Sequence, residues 1–306
     1  MWSEHRWIQA GMGIFYRVCA KADGVKRPPL LLIHGYPQSN IIWRQVAPLL
    51  VEHFDCIMPD LRGYGDSDKP RETEHNRFDT MNKRVMANDL VALMQHLGHR
   101  QFAVVGHDRG GRVAHRMAVD HPDTVTKLSV LDISPTVHMY QNTTRAFAQA
   151  YWWWFYLIQP APWPERAITA CPRDYLDPKI GYGPAGMTPF ADGAYDAYLR
   201  YLSDYDTNHS MCNDYRAAAH RDYEWEVADL AAGRLIQCPL QALWGEQGVV
   251  HRLFSPLNDW ANRTHHGVVS GQPLPCGHYL PEEQPKATAE ALLTFLFNND
   301  SSQASV

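Results

Sequence analysis

The sequence predicts an α/β fold in which a mostly parallel central sheet is flanked by helices and carries a helical insertion. Two observations predict this fold class. Short β-rich runs bounded by turn residues alternate with longer segments of helical periodicity, which is the pattern of parallel βαβ units. The alternation then stops after Asp132 and resumes only near Cys238.

Six runs are the predicted strands of the sheet. They are "LLLIHG" (30–35), "DCIMPD" (55–60), "FAVVG" (102–106), "KLSVLD" (127–132), "LQALWG" (240–245) and "HGVVSG" (266–271). Helical periodicity is clearest in residues 80–98, where Gly98 ends the pattern. The apolar face of that predicted helix consists of Met81, Val85, Leu90, Leu93, Met94 and Leu97.

The middle of the chain lacks a strand pattern and is dense in aromatic residues, which indicates a mostly helical insertion. Because the insertion follows the carboxyl end of a strand, it is expected to cover the edge where open α/β sheets bind ligands. The predicted divisions are a core of residues 1–135, a helical cap of 136–232, a second core part of 233–298 and a disordered tail of 299–306.

Composition excludes several classes of function. The formal net charge is −5, and lysines and arginines do not form blocks, so a nucleic-acid partner is not expected. No apolar run approaches the ~20 residues of a membrane helix, and the N-terminus lacks a secretory pattern. The six cysteines form no C-x-x-C motif and the histidines no H-E-x-x-H motif. A cytoplasmic protein without disulfides or a metal site is predicted.

The segment "VVGHDRGG" carries the strongest chemical signal. In α/β-hydrolases a nucleophile occupies a tight strand-to-helix turn written G-x-Nuc-x-G, where flanking glycines leave room for a strained backbone. Asp108 holds the nucleophile position of this pattern. The alternative interpretation is an ordinary polar βα loop.

Two further motifs support the first interpretation. "LLIHGYPQS" places Tyr36 after an early strand, where this fold takes one backbone N–H of its oxyanion hole, and the N–H of Arg109 would be the other. "LPCGHYLPEE" supplies His278 near the C-terminus. In this fold the nucleophile comes before the catalytic histidine along the chain, and Asp108 and His278 follow that order.

Two acids are candidates for orienting His278. Asp132 ends the run "KLSVLD", and Glu246 follows "ALWG", the more familiar position for the acid in this fold. An aspartate at a strand tip is well placed to reach an imidazole, so Asp132 is favoured. Glu246 stays open as a helix N-cap, a loop acid or the catalytic acid.

An aspartate nucleophile narrows the reaction. A carboxylate is ionised at neutral pH and attacks a saturated carbon without a base, which points to a halide or an epoxide. His278 would then activate the water that hydrolyses the ester. Arg109 and Arg112 share a helix face beside Asp108, where they are suited to bind a substrate carboxylate, so a small 2-halo acid is predicted.

These residues resemble the haloacetate dehalogenase family. The resemblance spans nearly the whole chain, and "GHDRGGR" with "DYRAAA" is its most specific part. It implies Asp108 as nucleophile, Asp132 and His278 as its partners, and Arg109 with Arg112 as carboxylate ligands. It also implies a homodimer, no cofactor, and halide binding by Trp154 and Tyr215.

One position departs from the family pattern. Where the family has approximately Y-W-H-W, this chain reads "YWWW", so Trp153 replaces a halide-binding histidine. An indole still offers one N–H, but the larger ring changes the pocket. We therefore expect hydrolysis of chloroacetate and bromoacetate more firmly than cleavage of a C–F bond.

Two other functions compete with this prediction. An epoxide hydrolase would share the aspartate and the histidine. It normally uses two tyrosines of its lid to protonate the opening ring oxygen, and the predicted helical cap of this chain offers several candidates. Those candidates are Tyr140, Tyr151, Tyr156, Tyr198 and Tyr215. A non-catalytic binding protein with the same fold is the third possibility.

Overall fold

The sheet is the frame that positions every candidate residue. A computed structural model describes residues 2–265, 267 and 269–297. Within them eight strands form one sheet in the order β1-β2-β4-β3-β5-β6-β7-β8. The strands are β1 (Trp2–Gln9), β2 (Met12–Cys19), β3 (Pro29–Ile33), β4 (Asp55–Pro59), β5 (Phe102–His107), β6 (Val125–Leu131), β7 (Leu240–Gly245) and β8 (Val269–Leu274).

The pairing confirms the predicted sheet. β3 to β8 pair in parallel, whereas β1 and β2 form an antiparallel hairpin whose second strand pairs with β4. All six predicted strands are present, and the hairpin was not predicted. The run predicted as a strand at 266–271 forms β8 from Val269 onward, and its residues 266 and 268 lie outside the described residues.

Helices cover both faces of this sheet. Those of the first part of the chain are α1 (Ala47–Leu50), α2 (Lys83–His96) and α3 (Arg109–Asp120), and those after β7 are α12 (Val249–Leu253), α13 (Pro256–Ala261), α14 (Leu280–Glu283) and α15 (Pro285–Phe297). Asn82 caps α2 by accepting from Val85 N–H, and Gly98 follows its end with a positive φ, as the pattern predicted. Two clusters of buried apolar side chains fill the interior.

Only helices lie between β6 and β7. They are α4 (Thr136–Gln141), α5 (Arg145–Ala150), α6 (Trp152–Leu157), α7 (Trp163–Ala170), α8 (Pro172–Ile180), α9 (Ala194–Leu202), α10 (Tyr205–Ala217) and α11 (Tyr223–Ala231), with a π-helical turn at Ala218–Asp222. We call residues 136–231 the helical segment. Many of its apolar side chains, among them Phe147, Leu157 and Tyr198, are buried.

A buried carboxylate connects the helical segment to the rest of the chain. Glu282 accepts hydrogen bonds from Arg44 (2.7 Å) and from the hydroxyl of Tyr198 (2.9 Å). Arg44 also donates to the carbonyls of Pro189 (2.7 Å) and Ala191 (3.3 Å). Because Glu282 lies four residues after His278, this network holds the helical segment against the loop that carries the histidine.

Among the residues that the structure describes, no helix has the length and apolar composition needed to cross a membrane. The predicted tail 299–306 lies outside the described residues. All six cysteines are free, and Cys171 is exposed.

Glycines allow β5 and α3 to meet at a sharp turn. A Cβ on Gly110 would lie 2.3 Å from the carbonyl oxygen of His34, and one on Gly106 would lie 2.5 Å from that of Gly110. Both obstacles are backbone atoms, which cannot rotate away. The turn after β5 therefore requires glycine at these positions.

Gly110→Ala should destabilise the fold by about 1–3 kcal/mol, because the added methyl group overpacks a backbone contact and this outweighs the helix preference of alanine. Thermal and urea unfolding measure the change. Gly183→Ala is the matched control, since a Cβ there meets no atom within 4 Å. Equal stability of the two variants would contradict the proposed close packing.

Candidate active site

The backbone of Asp108 adopts a conformation that aspartate seldom takes. Its φ is 49° and its ψ is −115°, at the junction between β5 and α3. Strain of this kind persists only where the surroundings enforce it, and it is frequent at functional sites. The side chain is buried, and Oδ1 accepts a hydrogen bond from the Tyr36 backbone N–H at 3.0 Å.

The histidine and the acid predicted from the sequence meet at this turn. His278 Nε2 lies 3.8 Å from Asp108 Oδ2, and its Nδ1 lies 2.5 Å from Asp132 Oδ2. The other oxygen of Asp132 accepts from Gly245 N–H at 3.0 Å. Glu246, the alternative acid, is exposed and forms no ion pair within the described residues. The geometry thus favours Asp132 as the partner of His278.

His107 supports the loop that carries His278. Its Nε2 lies 2.8 Å from the backbone carbonyl oxygen of His278, and the two rings are 4.7 Å apart. Burial lowers the pKa of His107 to about 3, so its ring is neutral and Nε2 donates this bond as the N–H tautomer. The sequence pattern did not predict this role, although His107 belongs to the turn motif itself.

Asp108 is held in its ionised form. Burial disfavours its charge, but the neighbouring His278 and His107 rings, the positive charge of Arg109 and the hydrogen bond from Tyr36 N–H outweigh that effect and keep its pKa below the usual range. The predicted oxyanion hole consists of the backbone N–H groups of Tyr36 and Arg109. Among the described residues, only that of Tyr36 donates a hydrogen bond to Asp108. An ionised carboxylate with one fixed oxygen can act as a nucleophile through the other.

The two predicted arginines are buried near Asp108. Arg109 is 0% exposed and Arg112 is 3% exposed, so neither points to bulk solvent. Arg109 lies 4.2 Å from the centre of the Tyr215 ring, and Arg112 lies 4.9 Å from that of Trp154. Arg109 Nη1 and Arg112 Nε have no hydrogen-bond partner. The site thus offers free guanidinium N–H groups beside two aromatic donors.

Asp214 fixes Arg109, which the sequence analysis did not foresee. Its carboxylate accepts from Arg109 Nε at 2.9 Å and from Nη2 at 2.6 Å. Lys83 and the hydroxyl of Tyr64 bind the same carboxylate. The available signal was the segment "CNDYRAAA", in which Asp214 directly precedes Tyr215.

Arg112 has no such partner. Its Nη1 donates to the carbonyl of Ser134 (3.2 Å) and to Thr136 Oγ1 (2.8 Å), and it forms no ion pair with a described carboxylate. Burial and the charge of Arg109 lower its pKa. A buried arginine with only neutral ligands leaves positive charge available to an anion.

Aromatic residues line the space around these charges. Trp153, Trp154 and Tyr215 are all buried. The hydroxyl of Tyr215 has no hydrogen-bond partner, and each tryptophan carries one indole N–H donor. Burial raises the pKa of Tyr215, so its hydroxyl stays protonated and can donate.

Comparison with known proteins identifies the fold and the family of this chain. The family model for the alpha/beta hydrolase fold matches residues 28–159. The chain is 42% identical to a fluoroacetate dehalogenase from Burkholderia sp, over 89% of this chain and 88% of the relative. This chain belongs to the haloacetate dehalogenase family of α/β-hydrolases.

Membership in the haloacetate dehalogenase family confirms the resemblance predicted from the sequence. The chain is also 32% identical to a soluble epoxide hydrolase from Corynebacterium sp. (strain C12), over 87% of this chain and 89% of the relative. A crystal structure from Nostoc sp PCC 7120, described as a candidate alpha/beta hydrolase, superimposes with a TM-score of 0.91. It is 43% identical and covers 97% of this chain and 98% of its own.

Asp214→Asn should destabilise the protein by about 3 kcal/mol, because it leaves Arg109 and Lys83 buried without a neutralising charge. Asp206→Asn is the matched control, since Asp206 is exposed on the same helix. Chemical unfolding of both variants and the wild type provides the comparison. An Asp214→Asn variant as stable as the control would show that this carboxylate does not balance the buried cations.

Proposed function

We propose that the protein hydrolyses small 2-halo carboxylic acids through an ester on Asp108. The observation that carries the proposal is the position of two buried arginines with unpaired N–H groups beside an ionised carboxylate in a strained turn. An anionic substrate would be repelled by Asp108 alone. The arginines offset that repulsion and orient the substrate carbon towards the nucleophile.

The first step is a displacement at saturated carbon. Tyr36 N–H holds Oδ1 of Asp108, so Oδ2 is free to form the new C–O bond. The C–halogen bond breaks, and the halide leaves with the bonding electron pair. No general base is needed, because the carboxylate is already ionised.

The second step cleaves the ester. The 3.8 Å between His278 Nε2 and the position of Oδ2 is too long for a direct hydrogen bond and places the imidazole beside the ester. His278 removes a proton from water, and Asp132 stabilises the resulting imidazolium through Nδ1. The water oxygen attacks Cγ of Asp108, and Oδ1 takes the negative charge beside Tyr36 N–H. The Cγ–Oδ2 bond then breaks, and the imidazolium returns its proton to the departing oxygen, so the hydroxy acid leaves with the former Oδ2. Asp108 keeps the water oxygen, loses the remaining water proton to solvent and becomes a carboxylate again.

Arg109 and Arg112 are assigned to the substrate carboxylate. Arg109 supplies Nη1 from a guanidinium that Asp214 holds in place, and Arg112 supplies a charge without a counter-ion. Two cations and one carboxylate nucleophile leave net positive charge for a monoanion. A short acid fits best, because its carboxylate and reacting carbon must reach the arginines and Asp108 at once.

The halide is assigned to Trp154, Tyr215 and Trp153. Tyr215 has a buried hydroxyl without a partner, each tryptophan carries one indole N–H, and fluoride, chloride or bromide needs such donors as it departs. Since Trp153 stands in place of the family's histidine, hydrolysis of chloroacetate and bromoacetate is proposed with more support than defluorination.

We further propose that the helical segment acts as a cap on the core. Trp153, Trp154 and Tyr215 come from its α6 and α10, whereas Asp108 and His278 come from the sheet side. In this division the cap, residues 136–232, carries the aromatic residues assigned to the halide. The two core parts, 1–135 and 233–298, carry the reacting groups. The mechanism needs no cofactor, and the homodimer implied by the family stays a prediction.

Epoxide hydrolysis is the second candidate function. The hydroxyls of Tyr140 and Tyr215 are buried without partners, and burial raises the pKa of Tyr140 to about 12, so both can donate to an opening ring oxygen. A neutral epoxide, however, gains nothing from the buried charge of Arg112. Halide release from chloroacetate, measured beside turnover of styrene oxide, separates the two activities.

A His278→Ala variant mixed with chloroacetate should accumulate an adduct on the peptide that contains Asp108, because the ester forms but is not hydrolysed. Mass spectrometry of the digested protein detects it. The Asp108→Asn variant is the control and should remain unmodified. Wild-type turnover combined with an unmodified peptide in the His278→Ala variant would rule out the proposed ester.

A further inference from the structure

Lys179 is a buried lysine close to the active site. It lies near the end of α8 and is 1% exposed. No carboxylate of the described residues forms an ion pair with it, in contrast to Lys83, which is paired with Asp214. A buried ammonium group without a counter-ion is costly and is usually paired. Its position therefore calls for a functional explanation.

The contacts of Lys179 place it against the aromatic lining of the site. Its Nζ lies 3.8 Å from the centre of the Trp153 ring and donates to the hydroxyl of Tyr279 at 3.0 Å. The Tyr36 ring centre is 6.0 Å away. Tyr279 follows His278, and Tyr36 N–H binds Asp108. Lys179 thus lies among residues that border the reacting groups.

The charge of Lys179 is coupled to the nucleophile. Burial lowers its pKa to about 8, while the negative charge of Asp108 acts in the opposite direction. When Asp108 forms an ester it loses that charge, and the same negative charge appears on the departing halide. An anion beside Trp153 would then replace Asp108 as the counter-ion of the ammonium group.

We propose that Lys179, whose ammonium group lies over the Trp153 ring, binds the departing halide and compensates for the halide-binding histidine that Trp153 replaces. This inference rests on the proposed dehalogenation. The arginines lie against Tyr215 and Trp154, whereas Lys179 lies against Trp153, so the lysine supplies the positive charge beside the third residue assigned to the halide. A compact ammonium group favours small anions, and its contribution should be largest for fluoride.

The test measures ester formation separately from hydrolysis. In a His278→Ala background, the rate of Asp108 alkylation is measured with chloroacetate and with fluoroacetate, with and without Lys179→Met. Loss of the ammonium group should slow alkylation at saturating chloroacetate by roughly tenfold or more, and the decrease should be larger with fluoroacetate. The half-saturating acid concentration should change much less, because Arg109 and Arg112 still bind the carboxylate.

Two further variants keep the result interpretable. Lys179→Arg should restore most of the rate, since it retains a positive charge, and Lys286→Met, at an exposed lysine, should have no effect. Thermal unfolding reports whether Lys179→Met is folded. Equal slowing with both acids, or a change confined to half-saturation, would overturn the assignment to the halide.

A pH profile provides a second measurement that does not depend on Lys179→Met. The titratable groups near Lys179 are Asp108, His107, Tyr36 and Tyr279, together with Tyr182, whose ring lies beside that of Trp153. Asp108 and His107 have lowered pKa values, the three tyrosines have pKa values raised by burial, and His278, next to Tyr279, is absent from the background variant. Alkylation should therefore decline as pH rises through about 8, and Lys179→Arg should remove that decline.

The outcomes distinguish this inference from the proposed function. If wild-type protein releases no halide from any haloacetate, the proposed function fails. If instead the wild type releases halide but neither Lys179→Met nor Lys179→Arg changes the alkylation rate or its pH profile, only the proposed role of Lys179 fails.

Discussion

The left-handed backbone conformation of Asp108 is the constraint on which the rest of the site depends. At φ 49° the carboxylate stands at the edge where β5 ends, and the backbone approaches so closely that Gly106 and Gly110 admit no side chain. This turn brings Oδ1 to Tyr36 N–H and starts α3 with Arg109 beside Asp108. Because one turn positions both the proposed nucleophile and the first arginine proposed to bind substrate, neither is adjusted independently of the other.

The buried charges of the site determine which substrates this geometry favours. Asp214 neutralises part of the positive charge of Arg109 and Lys83, whereas Arg112 and Lys179 have no carboxylate partner among the described residues. This excess of positive charge keeps Asp108 ionised and favours a negatively charged substrate. A low-dielectric site amplifies both effects. The same surplus weakens the case for a neutral epoxide, even though two tyrosine hydroxyls are free to donate.

The sequence predicted those parts of the molecule that local patterns encode. The parallel strands, α2 with its glycine end, and the turn at Asp108 have periodicity or turn residues that act locally. The β1–β2 hairpin was missed because β1 is mostly exposed and its sequence "WSEHRWIQ" lacks the alternation of apolar and polar residues that marks a strand, although Ala10-Gly11 marks its turn. Buried cations were missed for another reason. Lysines are usually exposed, so only tertiary packing reveals that Lys83 and Lys179 are not.

Isotope labelling tests most directly the claim that the carboxylate of Asp108 is the nucleophile. A molar excess of protein converts chloroacetate in a single turnover in water enriched in ¹⁸O. Mass spectrometry then measures the ¹⁸O content of the product and of the peptide containing Asp108. The first glycolate should carry unlabelled oxygen taken from Asp108, while one ¹⁸O enters the peptide. Labelled glycolate in that first turnover, with an unlabelled peptide, would contradict it and show direct attack by water.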